Sequence, residues 1–284
     1  MKNSNLTFYI LLVPVLLWLI LLIVVPHIDL LFSSFQFEND DEIMVLSINN
    51  YLAFFEDEIY WLTFVKTAMY SIGVTILAFI VTFPVAFYLS KVVAKKYGSF
   101  MALMLLIPIW VGELVTIYGW MILLSDNGVI NNFLLDIGVI STPIEMLYTD
   151  FSMTIGLLYM SMLFMIIPVM SALDSLDDSL IEAASDLGAS KWTIFTQIII
   201  PYSIPGITSG SIIVFMLVIG DYVAPNLLGG KSSLWFTEQI YNEFLSTFNW
   251  NEGAAFGFLL LLLSSAIIWV ALRLSGQKLE KVGA

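Results

Sequence analysis

The sequence predicts an all-α, polytopic membrane protein of six transmembrane helices, with a short polar helix in the loop between the fourth and fifth. Three observations carry this. Apolar residues make up 60% and charged residues 12% of the 284-residue chain, and the mean hydropathy is +0.94, far from the values of a soluble domain. Apolar stretches persist for about 20 residues, the length a helix needs to cross roughly 30 Å of hydrocarbon. Lys and Arg gather in alternate loops, as expected where cytoplasmic loops retain positive charge.

The spans fall at about 7–26, 64–90, 100–124, 151–172, 198–220 and 254–274. Backbone amides inside lipid must be satisfied within a segment, so runs of this length are helices and not barrel strands, which alternate over about ten residues. The first run continues through Val24 and Val25 to Pro26 and His27, longer than the core of a secretory signal, and reads as a retained anchor. Pro14, Pro84, Pro108, Pro168, Pro201 and Pro205 fall in or beside spans and mark kinks. The connecting loops are short, so residues 1–284 are expected to form a single transmembrane domain. The longest loop, about 27–63, is aromatic-rich and suits a membrane surface.

Lys2, Lys91, Lys95, Lys96, Lys191, Arg273, Lys278 and Lys281 fall on one side and only Lys66 and Lys231 on the other, eight against two. Both termini are therefore expected in the cytoplasm, with the loop after the fourth span on the same side. The net charge of −13 is concentrated on the opposite face: Asp29, Glu38, Asp40, Asp41, Glu42, Glu56, Asp57 and Glu58 in one loop, and Asp126, Asp136, Glu145 and Asp150 in the next. Two readings of this asymmetry stand side by side. Acidic residues accumulate where basic ones are excluded, or they form a vestibule that concentrates a cation or docks a basic surface.

The loop between the fourth and fifth spans contains EAASDLGASKWTIFTQIIIP, residues 182–201. Asp177, Asp178 and Ser179 before it are N-capping residue types. Gly188 suits the left-handed position that closes a helix. Residues of about 178–187 are thus expected to form a closed helix some 15 Å long, at 1.5 Å per residue, too polar to enter the bilayer. Ala183 and Ala184 keep part of it small enough for another backbone to approach, while Glu182 and Asp186 present charge.

The offsets of Glu182-Ala183-Ala184, Gly188, Ile198, Ile200 and Pro201 match the cytoplasmic-loop signature of ABC importer permeases, with Ile200 where Leu is usual. Nearly the whole chain resembles the polyamine branch of that MetI-like, type I family, the PotB type of spermidine/putrescine permease. The similarity includes LLIPIWVGELVTIYGWMILLSDNGVINNFLLDIGVI at 105–140, PVMSALDSLDDSLIEAASDLGAS at 168–190, IIIPYSIPGITSG at 198–210 and GDYVAPNLLGG at 220–230. The resemblance implies half of a translocation pathway working by alternating access and partnered by a second, related permease. It also implies two ATPase subunits inside, contacted through Glu182, Ala183, Ala184, Asp186 and Gly188, and a substrate-binding protein outside. PotB-type proteins often carry Arg before the Ile-Tyr-Gly of the third span; Thr116 stands there, with Glu113 three residues earlier.

Trp110, Glu113, Thr116, Ile117 and Trp120 share one face of a continuous third helix by their spacing. A carboxylate at bilayer depth faces a wet cavity, contacts a partner or is protonated, and flanking indoles add cation–π attraction for an ammonium. The alternative is a hydrogen-bonded Glu113 that joins helices, with the tryptophans as packing. Asp221 and Tyr222, at the outer end of the fifth span, are the second pair of pathway candidates; the alternative for Asp221 is a carboxylate at the water interface.

The chain has no cysteine and one histidine, His27, so neither a thiolate site nor a histidine metal cluster is expected. No phosphate-cradling glycine loop occurs; ATP belongs to the partner ATPase, and this chain needs no cofactor. Partners are membrane lipid and the importer's other subunits, not nucleic acid. A different solute for the same machine, such as an amino acid or a metal complex, and a stand-alone secondary carrier are the competing functions.

Overall fold

The computed structural model describes residues 4–38, 43–230 and 233–276. Lys2, Lys231, Lys278 and Lys281, and the acidic Asp40, Asp41 and Glu42, lie outside the described residues. Among the described residues, five helices are long and apolar enough to cross a membrane: α1, whose qualifying part is Ile10–Ser34; α3, Glu58–Val92; α7, Asp150–Ser175; α9, Lys191–Ile219; and α11, Trp250–Leu274. Between them run β1 (Gln36–Glu38), β2 (Met44–Leu46), α2 (Asn49–Glu56), α4 (Lys95–Leu106), α5 (Glu113–Leu124), α6 (Val129–Asp136), α8 (Asp178–Asp186) and α10 (Phe236–Leu245).

The continuous third span expected over 100–124 is broken. A 3-10 turn, Ile107–Trp110, follows α4, and the helices before and after the break differ in direction by 92°. The reason is local. Pro108 has no N–H to continue the helical ladder, Val111 is extended at ψ 124, and Gly112 enters α5 at ψ 144. Pro108 therefore helps end a helix, where the sequence predicts only a kink. Pro14, Pro84, Pro168 and Pro205 do lie inside helices. Helical ladders widen into π-turns at Ile20–Val24 in α1, Tyr88–Val92 in α3 and Phe195–Ile199 in α9.

Two compact units divide the chain. The first comprises Met1–Phe64 and Glu238–Leu262. Here β1 and β2 pair antiparallel, with Phe37 opposite Val45. Buried Asn50 of α2 donates from Nδ2 to Ser34 O at 3.0 Å and Gln36 O at 2.7 Å, holding the end of α1 and the start of the hairpin. Tyr60 meets Phe256 edge-on at 4.6 Å. Along the described side chains of α1, only Ser34 is buried within this chain, so its apolar surface is left to lipid or to another protein.

The second unit comprises Val65–Thr237 and Leu263–Ala284. Its core is built on α7 and α9, with Met153, Leu157, Met165, Val169 and Leu173 of α7 and Val214 and Val218 of α9 fully or almost fully buried. Small residues set the spacing. A Cβ on Gly206 would fall 2.3 Å from Pro168 O, and one on Gly210 would fall 2.7 Å from Met165 Sδ. The four-residue interval from Gly206 to Gly210 thus presents a groove into which α7 packs, the small-residue contact by which membrane helices approach without hydrophobic drive. Ile117 of α5 and Trp235 complete the buried cluster.

Candidate functional site

Two features of the second unit gather the candidate residues. The first is α8. Asp177 caps it, its Oδ1 accepting from Ser179 N at 2.9 Å, and the helix ends in a Schellman arrangement. Gly188 N donates to Ser185 O at 2.9 Å and Ala189 N to Ala184 O at 3.0 Å, with Gly188 at φ +82°. The left-handed glycine and the paired bonds satisfy the last carbonyls. Nine residues long, α8 is one residue shorter than the 178–187 expectation because Leu187 is its cap.

Glu182, Ala183 and Asp186 on α8, and Gly188 just past its end, are exposed. Ala184 is not aligned with them: with Ile181 and Ala189 it packs onto the core, so one alanine of the pair anchors the helix and the other faces out. Two apolar side chains beyond the expected contact residues stand beside the polar face, Leu187 at 88% and Trp192 at 73% exposure. Trp192 stacks on Phe195 at 5.9 Å. Exposed Leu and Trp beside a charged, small-residue surface have the composition of a protein contact.

The second feature is a cavity of about 430 Å³, within the range of small-molecule sites. Glu113 of α5 and Asp221, Tyr222 and Val223 beyond α9 line it; its wall is Leu157, Met160, Ser161 and Phe164 of α7 with Leu217, Val218 and Gly220. Glu113 opens α5 directly after the Gly112 cap, where the positive end of the helix dipole favours its charge. Asp221 is held by its own turn, Oδ1 accepting from Val223 N at 2.8 Å and Ala224 N at 3.1 Å, while Thr237 Oγ1 donates to Asp221 O at 2.6 Å. Burial and, secondarily, the nearby Glu113 charge push the Asp221 carboxyl up to about 6, although the two backbone N–H donors oppose this.

Trp110, Thr116 and Trp120 do not line this cavity. Trp110 lies before the break and is 90% exposed, so it does not share a helix face with Glu113. Thr116, half-buried, reaches back toward Gly112 O at 3.4 Å. Trp120 packs edge-on against Tyr159 at 5.5 Å. The wall residues of α7 were not among the expected site residues. Ser161, a polar residue within an apolar run, was their one sequence signal, and its hydroxyl is turned onto Leu157 O at 2.6 Å.

The arrangement is chemically specific. Two carboxylates stand at a cavity whose remaining wall is largely apolar. Close like charges are relieved by a cation, a Tyr face attracts an ammonium, and Met160 and Phe164 suit a hydrocarbon stem.

Residues 85–281 match the family described as binding-protein-dependent transport system inner membrane component. The chain belongs to this family. The permease is 33% identical to the spermidine/putrescine transport system permease protein PotB of Salmonella typhimurium (strain SL1344), over 99% of both chains. A shorter stretch, 28% of the permease and 30% of the relative, is 35% identical to the spermidine/putrescine transport system permease protein PotC of Escherichia coli (strain K12). Its fold matches a chain from a crystal structure of a bacterial alginate ABC transporter in complex with an alginate pentasaccharide-bound periplasmic protein. The TM-score there is 0.78, at 19% identity, covering 96% of the permease and 95% of that chain. The permease is thus a multi-pass inner-membrane transport subunit of the type I importer fold, and not an enzyme.

Proposed function

We propose that the permease forms half of the translocation pathway of an ATP-driven importer for polyamines, linear cations of the spermidine and putrescine kind. The observation that carries this reading is the cavity shared by Glu113 and Asp221. A polyamine combines ammonium groups with methylene runs, and the lining combines two acidic residues with largely apolar side chains. The names of the two full-length and partial relatives, PotB and PotC, support the same substrate class. PotC also supports a second, related permease as the other half of the pathway.

In this reading both termini lie in the cytoplasm, in keeping with Lys91, Lys95, Lys96, Lys191 and Arg273. The α8 helix then meets an ATPase subunit through Glu182, Ala183, Asp186, Leu187 and Trp192, with Gly188 closing it and Ala184 seating it. Closure of two ATPases moves α8, and the helices joined to it alternate the cavity between the two sides. An external binding protein delivers the solute.

Uptake by cells lacking other polyamine importers tests the reading. Expression of the permease with its partner subunits should give spermidine or putrescine uptake that excess neutral amino acid does not suppress. Accumulation of an amino acid or metal complex with no polyamine uptake would contradict it.

A further inference from the structure

Lys91 has a placement that its contribution to membrane orientation does not require. A lysine that signals topology needs only to reach water on its own side of the bilayer. The Lys91 side chain is 7% exposed, and its Nζ donates to Leu176 O at 2.6 Å and to Asp178 Oδ1 at 2.6 Å. Leu176 is the C-cap of α7 and Asp178 the first residue of α8. The ammonium therefore spans the corner where the chain leaves one helix and begins the next. A helix C-terminus attracts a cation and a helix N-terminus an anion, so Lys91 joins two ends that already favour these charges.

The backbone of α3 helps place it. Lys91 lies in the π-turn Tyr88–Val92, closed by Val93 N donating to Tyr88 O at 3.0 Å. Each residue advances about 100° around a helix of 3.6 residues per turn, so the one extra residue of a π-turn changes which direction Lys91 faces.

We propose that Lys91 is a positioning residue of the coupling step, a clasp that makes α3 move with α8. This rests on α8 being the surface that meets the ATPase. Without the clasp, α8 still has its Asp177 cap, its Gly188 closure and its seat of Ile181 and Ala184. Asp178, whose side chain is 62% exposed, is rehydrated when the ammonium is removed. The fold and the ATPase contact therefore survive loss of Lys91, while the transfer of motion to α3 does not.

The test uses the complete transporter in proteoliposomes with its binding protein, comparing Lys91→Met, Lys91→Arg, Asp178→Asn and Lys91→Met/Asp178→Asn. ATPase co-purification, basal ATP hydrolysis and ATP consumed per solute imported are measured. Lys91→Met keeps most of the apolar stem; it should co-purify normal amounts of ATPase, lose roughly tenfold in uptake rate, the scale of an allosteric coupling, and consume more ATP per solute. Lys91→Arg should recover most of the uptake. Asp178→Asn added to Lys91→Met should change uptake by about twofold or less, because contacting partners do not act additively. Full uptake by Lys91→Met, in an assay where Gly188→Pro is inactive, overturns the clasp alone. Loss of ATPase in step with loss of uptake also overturns it, leaving a purely structural lysine. Full uptake by Gly188→Pro overturns the α8 reading, and this proposal with it.

Discussion

The carboxylates of Glu113 and Asp221 line one cavity, and the charge of Glu113 contributes to the raised protonation range of Asp221. They come from separate segments, the first turn of α5 and the turn after α9, and α7 supplies part of the same cavity's wall. The pair is an anionic site held in partly apolar surroundings.

Glu113→Gln and Asp221→Asn should each weaken polyamine uptake through a higher KM, with assembly intact. Hydrogen bonds to charged groups contribute about 1.5–3 kcal/mol, so each substitution should change the half-saturating concentration by roughly tenfold or more. Kinetics of radiolabelled spermidine uptake at matched expression measure this. Unchanged KM in both variants would remove the cavity from the pathway.

The pH dependence has a definite sign. Asp221 is pushed up from an ordinary carboxyl value to about 6, so it gains a proton as the pH falls through that value and the cavity loses an anion. Uptake of a polycation should therefore decline between about pH 7 and pH 5, and Asp221→Asn should flatten that decline. Glu113→Gln removes one of the influences raising Asp221 and should move the midpoint to lower pH. For stability the sign is opposite. A carboxyl whose folded value is raised holds its proton more tightly than the unfolded chain, so ionising it costs stability as the pH rises from the unfolded value through about 6. Thermal unfolding of Asp221→Asn should accordingly depend less on pH across that window.

Gly188→Ala should impair coupling, and Gly188→Pro should do so more severely. No atom obstructs a Cβ at Gly188, but its φ of +82° penalises an L-residue by about 1–2 kcal/mol. Proline also fixes φ near −65° and removes the N–H that closes α8. ATP-driven uptake and ATPase co-purification are the readouts. Full transport by the proline variant would count against α8 as the coupling element.

Gly206→Leu should destabilise the α7–α9 contact, since even a Cβ would fall 2.3 Å from Pro168 O. Overpacking of a close contact typically costs about 1–3 kcal/mol. Thermal denaturation in detergent should show a lower midpoint, whereas Gly257→Leu, where a Cβ meets nothing within 4 Å, should leave it nearly unchanged.

The legible parts of the sequence were those governed by local chemistry. The cap at Asp177, the left-handed Gly188 and the short helix between them follow from side chains acting on their own backbone. The long spans follow from apolar length. The break at Val111–Gly112 was not legible, because hydropathy runs on through 100–124 while the cause lies in backbone angles near Pro108. That break separates Trp110 from Glu113, which a continuous helix places on one face. The cavity wall from α7 and the Lys91 clasp depend on contacts between distant segments, so in the sequence Lys91 is legible only as a topological charge. Ala183 and Ala184 looked equivalent in sequence, and only packing distinguished the seat from the exposed face.

The most direct measurement is solute accumulation in proteoliposomes containing the permease, its partner permease and the ATPase, with the binding protein outside and ATP inside. Spermidine or putrescine should accumulate only when ATP and binding protein are both present, and Gly188→Pro should abolish that accumulation. Polyamine accumulation by the permease without the ATPase, or ATP-driven accumulation of a non-cationic solute with none of polyamine, would contradict an ATP-driven polyamine importer coupled through α8.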